Sequence, residues 1–226
     1  MSDLPSEQTL KIVDAIDLPE TIRVLLRPGE MVKDADGRRH RLPRYFYEIP
    51  SYEDAMAVRL TGNFRLNEFI RVDLREAEPL REYPRYVPCA VRITAFYLQR
   101  IRDEIGSTLH ISVNGGYRSP SHERNHPASP HMWGTAVDIY RIGSSLLQTE
   151  EQINKFGMIA ERVADEMTAF PYGQEAGSTD DHLHLDLGYL FLIPREVSED
   201  RMEMPQETPR FAWEERRKRD RRNAGD

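Results

Sequence analysis

Ser129-Pro130-His131-Met132-Trp133-Gly134-Thr135-Ala136-Val137-Asp138-Ile139 and, further on, His182-Leu183-His184-Leu185-Asp186 are the two stretches on which the reading of this chain turns. The first runs apolar and β-branched from Met132 to Ile139, as a strand does, and His182 to Leu190 alternates polar and apolar before ending in an apolar run. On a straight strand, residues seven apart point to opposite faces, so His131 and Asp138 can share a ligand only if the chain bends between them. Gly134 is available to allow that bend. On the second stretch His182, His184 and Asp186 fall on one face at period two. Three ligands from two segments, His131, Asp138 and His184, then leave a fourth position open, the stoichiometry of a catalytic zinc. The competing reading of the same spacing is a pair of polar sheet faces with satisfied histidines.

The histidines are not scattered. Five of the seven fall in two windows, His122, His126 and His131 in one, His182 and His184 in the other, each accompanied by acids. Imidazole and carboxylate together are the donor set of a transition-metal site. A rival site can be drawn, because His122-Glu123-Arg124-Asn125-His126 satisfies the HExxH pattern, in which two histidines one helical turn apart hold zinc and the Glu acts as base. Pro120 and Pro127 bracket that segment, and Pro127 disfavours the helical region for His126 itself.

Outward from these stretches the chain divides in three. Residues 1–60 read as an arm, with strands at Thr21–Arg27 and Arg44–Ile49 forming a β-hairpin around the turn Asp34-Ala35-Asp36-Gly37. Residues 61–194 read as the compact domain. Within it Leu66–Val72 is a short helix, Cys89–Ile105 a longer one stopped by Gly106, and Leu109–Val113 a strand. Thr149–Met167 is a helix opened by a Thr149/Gln152 capping box. Residues 195–226 are charged throughout. Arg216–Arg222 sets six cations against one Asp and reads as a solvated helix end or disordered tail, contact with nucleic acid being the competing reading.

Composition sets the bounds. At 226 residues, 39% hydrophobic and 31% charged, the chain is polar but long enough for one core. No apolar run reaches the roughly 18 residues of a membrane span. A net charge of −7 argues against nucleic acid as the main partner. The single Cys89 excludes an internal disulfide and a cysteine-rich zinc site. The first residues lack a basic region followed by an apolar stretch, so the expectation is cytoplasmic synthesis, with phage lysis or a secretion system as the route to any extracellular target. Oligomeric state is not legible.

Read together, Gly116-Tyr117-Arg118-Ser119-Pro120, the Ser129–Ile139 stretch and His182–Asp186 come in the order GYRS, SxHxxGxAxD, HxD. This resembles the zinc peptidases of bacterial cell walls, the D-Ala-D-Ala carboxypeptidases and dipeptidases and the L-alanyl-D-glutamate endopeptidases of phage. Asn63–Phe69 resembles the segment that opens many of these domains, and the likeness covers about residues 62–190. The resemblance implies an α+β fold, a small antiparallel sheet backed by helices, of the hedgehog/DD-peptidase type. It implies zinc held by His131, Asp138 and His184, and Asp181 as general base in the loop before the last strand. It further implies a transition-state hydrogen bond from His182, Arg118 gripping a substrate carbonyl or carboxylate, and Ser129 touching substrate. The expected substrate is a peptidoglycan-type peptide with D-amino acids. A metal-stabilised binding module without proteolysis, as in hedgehog-type domains, is the reading from another functional class. The loop between Arg118 and His131 departs from the family pattern in being short and proline-rich.

Overall fold

The computed structural model describes residues 10–195. The charged tail expected from 195 onward falls, from 196, outside the described residues. By contacts the chain divides into two units, Met1–Leu192 and Ile193–Asp226, and the strands and helices named below all belong to the first.

The N-terminal part opens with β1 (Ile12–Asp14) and α1 (Glu20–Leu26). A helix replaces the strand expected at Thr21–Arg27. Ile22, Leu25 and Leu26 face inward at i, i+3 and i+4 while Val24 is exposed, a helical period that a seven-residue run rich in β-branched and aliphatic side chains conceals. Ile22 and Arg23 N–H groups donate to the Pro19 carbonyl at the start. Arg27 ends the helix in the left-handed conformation. A hairpin does form, but between β2 (Met31–Lys33) and β3 (Arg39–Arg41), around the expected turn at Asp34–Gly37. β4 (Tyr45–Glu48) lies instead between β1 and β5 (Tyr86–Pro88) in an antiparallel three-stranded sheet, with α2 (Tyr52–Ala57) between the two in sequence.

Next comes α3 (Val91–Ile105), ended as expected by Gly106 in the left-handed conformation. The expected helix at Leu66–Val72 shrinks to one 3-10 turn, Leu66–Phe69, whose Leu66 and Phe69 are buried. The main sheet contains β6 (Leu109–Ile111), β7 (Ala136–Ile142), β8 (Ser145–Leu146), β9 (Thr168–Ala169) and β10 (Leu183–Asp186). Its order is β6-β7-β10-β9, with β8 on β7, and all pairs are antiparallel. α4 (Glu150–Val163) is capped by the Thr149 hydroxyl, which accepts from Gln152 N–H at 3.3 Å. Gln152 turns its own oxygen to Gln148 N–H, so only half of the capping box forms. The fold of the described residues is thus α+β, antiparallel sheets with four α-helices among them, as the resemblance implies.

Two features position the site. In the β7–β10 register His184 stands directly opposite Asp138, so both side chains share one face. The last strand is shorter than expected because Gly188, at φ +68°, turns the chain after Asp186. Before β7, a 3-10 turn at Pro130–Trp133 ends on Gly134 at φ +69°, which supplies the required bend. The buried Thr94 hydroxyl of α3 donates to the Gly134 carbonyl at 2.8 Å and fixes it. The arm closes over this turn: Leu42 packs with Ala128, Met132 and Trp133, and Trp133 Nε1 donates to the Arg41 carbonyl at 2.9 Å. Among the described residues no helix is long and apolar enough to cross a membrane.

Candidate metal centre

His131, Asp138 and His184 are all buried, and one ligand atom from each lies within 4.8 Å of the others. Asp138 Oδ1 is the hub, 3.2 Å from His131 Nε2 and 2.7 Å from His184 Nδ1. Tetrahedral zinc with bonds of ~2.0–2.1 Å would set neighbouring ligand atoms about 3.3 Å apart, so the cluster has the size of a zinc site.

The tautomers follow from the remaining contacts. His131 Nδ1 is 2.7 Å from the Gly116 carbonyl, to which it can only donate, so Nε2 carries the lone pair that faces Asp138. Burial, with Arg118 adding to it against Asp138, pulls the His131 pKa to about 4 and keeps the ring neutral. His184 Nε2 lies 3.2 Å from Asp186 Oδ2, and Gly188 N–H fixes the other Asp186 oxygen at 2.7 Å. A carboxylate behind a ligating imidazole is the usual orienting arrangement. Burial lowers the His184 pKa, but Asp138 and Asp186 outweigh it and raise the value to about 9. His184 must therefore give up a proton near neutral pH before Nδ1 can ligate. Asp138 is buried too, yet its pKa is held well below the carboxylate range, with protonated His184 supplying both a hydrogen bond and a positive charge. The donor set, one neutral imidazole, one carboxylate and one imidazole backed by a carboxylate, suits zinc.

Arg118 does more than line the site. It is 6% exposed, and its guanidinium donates to Asp138 Oδ2 and, from Nε, to the Asn114 carbonyl, both at 2.5 Å. Nη2 also reaches His131 Nε2 at 3.2 Å. Asp138 is thus divided, Oδ1 toward the histidines and Oδ2 toward Arg118. Burial lowers the Arg118 pKa, and the Asp138 charge opposes that shift. Ser129 lines the same space.

His182 and Asp181 are placed unequally. His182 Nε2 points at the cluster, 3.5 Å from Asp138 Oδ1, while Nδ1 meets Asp181 Oδ1 at 2.5 Å. The Asp181 side chain is 76% exposed and is not among the described residues that line the cleft. That cleft has a volume of about 750 Å³ and opens over the cluster. Its walls include the hairpin tip Asp34–Asp36, the loop at Gln174–Thr179, Phe170 and Tyr189. Phe170 packs on the His184 ring at 4.3 Å between centroids. The hairpin tip is held by His40, whose ring stacks on Tyr189 at 3.5 Å and whose Nε2 meets Asp34 Oδ2 at 2.7 Å.

The HExxH alternative does not survive. Residues 120–129 form turns and no helix, as the flanking prolines require. His122 is buried with both nitrogens engaged: Nε2 meets Asn114 Oδ1 at 2.9 Å, and Nδ1 accepts from Arg124 N–H at 3.1 Å. Burial, then the nearby Arg118, pull its pKa from 6.5 to about 4. A histidine that is neutral when folded and protonated when unfolded withdraws stability as pH falls from 6.5 toward 4. Urea unfolding across that window should cost wild type up to about 3 kcal/mol more than His122→Gln, and parallel curves would exclude this role.

Sequence reasoning missed Asn114, Glu76 and Phe170. Asn114 sits at φ 60°, and its carbonyl and side chain hold Arg118 and His122. The Asn114-Gly115 dipeptide is the signal that could have found it. Glu76 is buried, accepting from Ser119 N–H at 3.0 Å and Ser119 Oγ at 2.5 Å, which braces the Arg118 corner. Its charge-dense sequence surroundings give no sign of burial.

In comparison with known proteins, a family model described as Peptidase M15 matches residues 62–186, more than half of the chain. No curated protein and no solved structure matches it.

Proposed function

From the premise that this chain belongs to the peptidase M15 family and is a zinc-dependent peptidase, we propose that it hydrolyses peptide bonds involving D-amino acids in peptidoglycan-type stem peptides, as a carboxypeptidase or an endopeptidase. The observation that carries the reading is the convergence of His131, His184 and His182 on one oxygen of Asp138 at the floor of an open cleft. The D-residue specificity is supported by the likeness of the GYRS, SxHxxGxAxD and HxD segments to cell-wall peptidases.

His131 Nε2, Asp138 Oδ1 and His184 Nδ1 would hold the zinc. Bound there, zinc would supply Lewis-acid polarisation of the scissile carbonyl and a lowered water pKa. The protein supplies the proton traffic. Asp181 accepts from His182 Nδ1, which leaves the lone pair of His182 on Nε2, aimed at the cluster. His182 then takes a proton from the attacking water and delivers it to the leaving amine. Asp181, on the far side of the ring, holds the tautomer. On this proposal His182 acts as the base, the role that the resemblance gives to Asp181. Arg118 holds Asp138 in orientation through Oδ2 and balances its charge.

The expected kinetic outcome separates the two. His182→Ala lowers kcat by ~10²–10⁴-fold, and Asp181→Ala by about 10- to 100-fold, the range of a supporting partner. Zinc content should be unchanged in both. A larger loss in Asp181→Ala than in His182→Ala would return the base role to the acid. The function itself is tested by digesting purified muropeptides and their all-L counterparts, with mass spectrometry of the products and metal analysis of the same sample. Cleavage of the all-L peptides alone would overturn the proposed substrate. Zinc-loaded protein that binds muropeptides without cutting them would instead support a binding module.

A further inference from the structure

We propose that Arg124 binds a substrate carboxylate in the cleft over the metal centre, an assignment that rests on the peptidase reading above. The resemblance gives the carboxylate grip to Arg118. Its guanidinium, however, is buried and already committed to Asp138, the Asn114 carbonyl and His131. Of the described residues that line the cleft, only Arg118 and Arg124 carry a permanent positive charge. The Arg124 side chain is exposed and makes no ion pair or hydrogen bond with another described residue.

The acids on the same walls do not neutralise it. Asp138 is taken by Arg118, and Asp34 by His40 and the Arg38 N–H. Asp36 is exposed and 3.8 Å from Arg38, and Glu175 is exposed on the facing loop.

The base of this side chain is nevertheless fixed. Arg124 N–H donates to His122 Nδ1, and the neighbouring Glu123 N–H donates to the Arg75 carbonyl at 3.0 Å. Asn125 N–H returns to the His122 carbonyl at 3.1 Å, and its side-chain amide donates to the Ser119 carbonyl at 2.6 Å. Asn114 joins the two arginines, with its side chain on His122 and its carbonyl on Arg118 Nε. A free guanidinium on a fixed backbone, beside a peptidase centre, offers the two-pronged geometry that a carboxylate takes. The substrate class is therefore a peptide whose free C-terminal carboxylate lies close to the scissile bond.

The test is steady-state hydrolysis of a matched pair of stem peptides, one with a free C-terminal acid and one with a C-terminal amide. Wild type should prefer the acid by about 10- to 100-fold in kcat/KM. Arg124→Ala should collapse that ratio, chiefly through KM, and Arg124→Lys should keep part of it. Equal losses on acid and amide, or no preference in wild type, would overturn the assignment. If zinc-loaded wild type cuts neither peptide, the peptidase reading fails, and equilibrium binding of the same pair to wild type and Arg124→Ala decides the matter. A higher affinity for the acid that disappears in the variant supports the assignment, and equal affinities reject it.

Discussion

Asp138→Asn is expected to lose zinc affinity by more than ~100-fold and peptidase activity with it. Substitution of groups that merely orient a ligand typically costs 10- to 100-fold, so removing the ligand's own charge should cost more. The structure adds reasons specific to this site. One Asp138 oxygen serves His131, His184 and His182, and the other balances the buried Arg118. Asparagine keeps the shape but leaves the guanidinium without its counter-charge. Breaking a buried pair in this way costs ~3–5 kcal/mol. The variant should thus lose stability even without metal, whereas His131→Gln should lose zinc with a smaller penalty to the metal-free fold. Zinc titration beside urea unfolding of metal-free protein reads both effects. A folded Asp138→Asn protein that binds zinc as wild type does would remove this centre from consideration.

Gly116→Ala is the second large effect. A Cβ there would stand 2.6 Å from the Phe69 carbonyl carbon and closer still to its oxygen. These are backbone atoms of a buried 3-10 turn, so no side chain can swing aside. Tyr117 N–H donates to the same carbonyl at 2.7 Å, and the Gly116 carbonyl orients His131. Overpacking of this kind costs about 3 kcal/mol or more, a Tm roughly 6–12 °C lower for a chain of this size. Gly177→Ala is the control. Gly177 has φ +84° with open space around it, so only backbone strain of ~1–2 kcal/mol is expected. Equal Tm losses in the two variants would show that the clash is relieved, and an intact zinc affinity in Gly116→Ala would detach that carbonyl from the His131 orientation.

What could be read before folding was whatever local chemistry decides. Gly106 and Gly134 occupy left-handed positions that few other residues adopt, so the end of α3 and the bend after His131 were visible in the sequence. Thr149 was visible as a cap for the same kind of reason. Residues Glu20–Leu26 misled because β-branched side chains fit either structure and seven residues show too little period. The ligand triad was readable as spacing plus resemblance. The division of labour around it was not. Whether Arg118 faces substrate or Asp138, and whether Asp181 or His182 faces the cluster, depends on side-chain direction at a strand's entrance. Burial of Glu76 and the Asn114 hub depend on chain segments brought together from afar. The His122–His126 spacing likewise acquires meaning only on a helix, and the local prolines prevent one.

The arm that covers the Pro130–Trp133 turn bears on how far this catalyst is a portable cassette. Excising residues 62–186, the span shared with the family, would leave β5 without its neighbour β4. It would also bare Trp133 and Met132 beside His131 and remove the hairpin tip from the cleft wall. A raw strand edge and an uncovered aromatic patch are both sticky. The smallest workable catalyst made from this chain therefore begins upstream of the family boundary, with the hairpin retained as part of the enzyme.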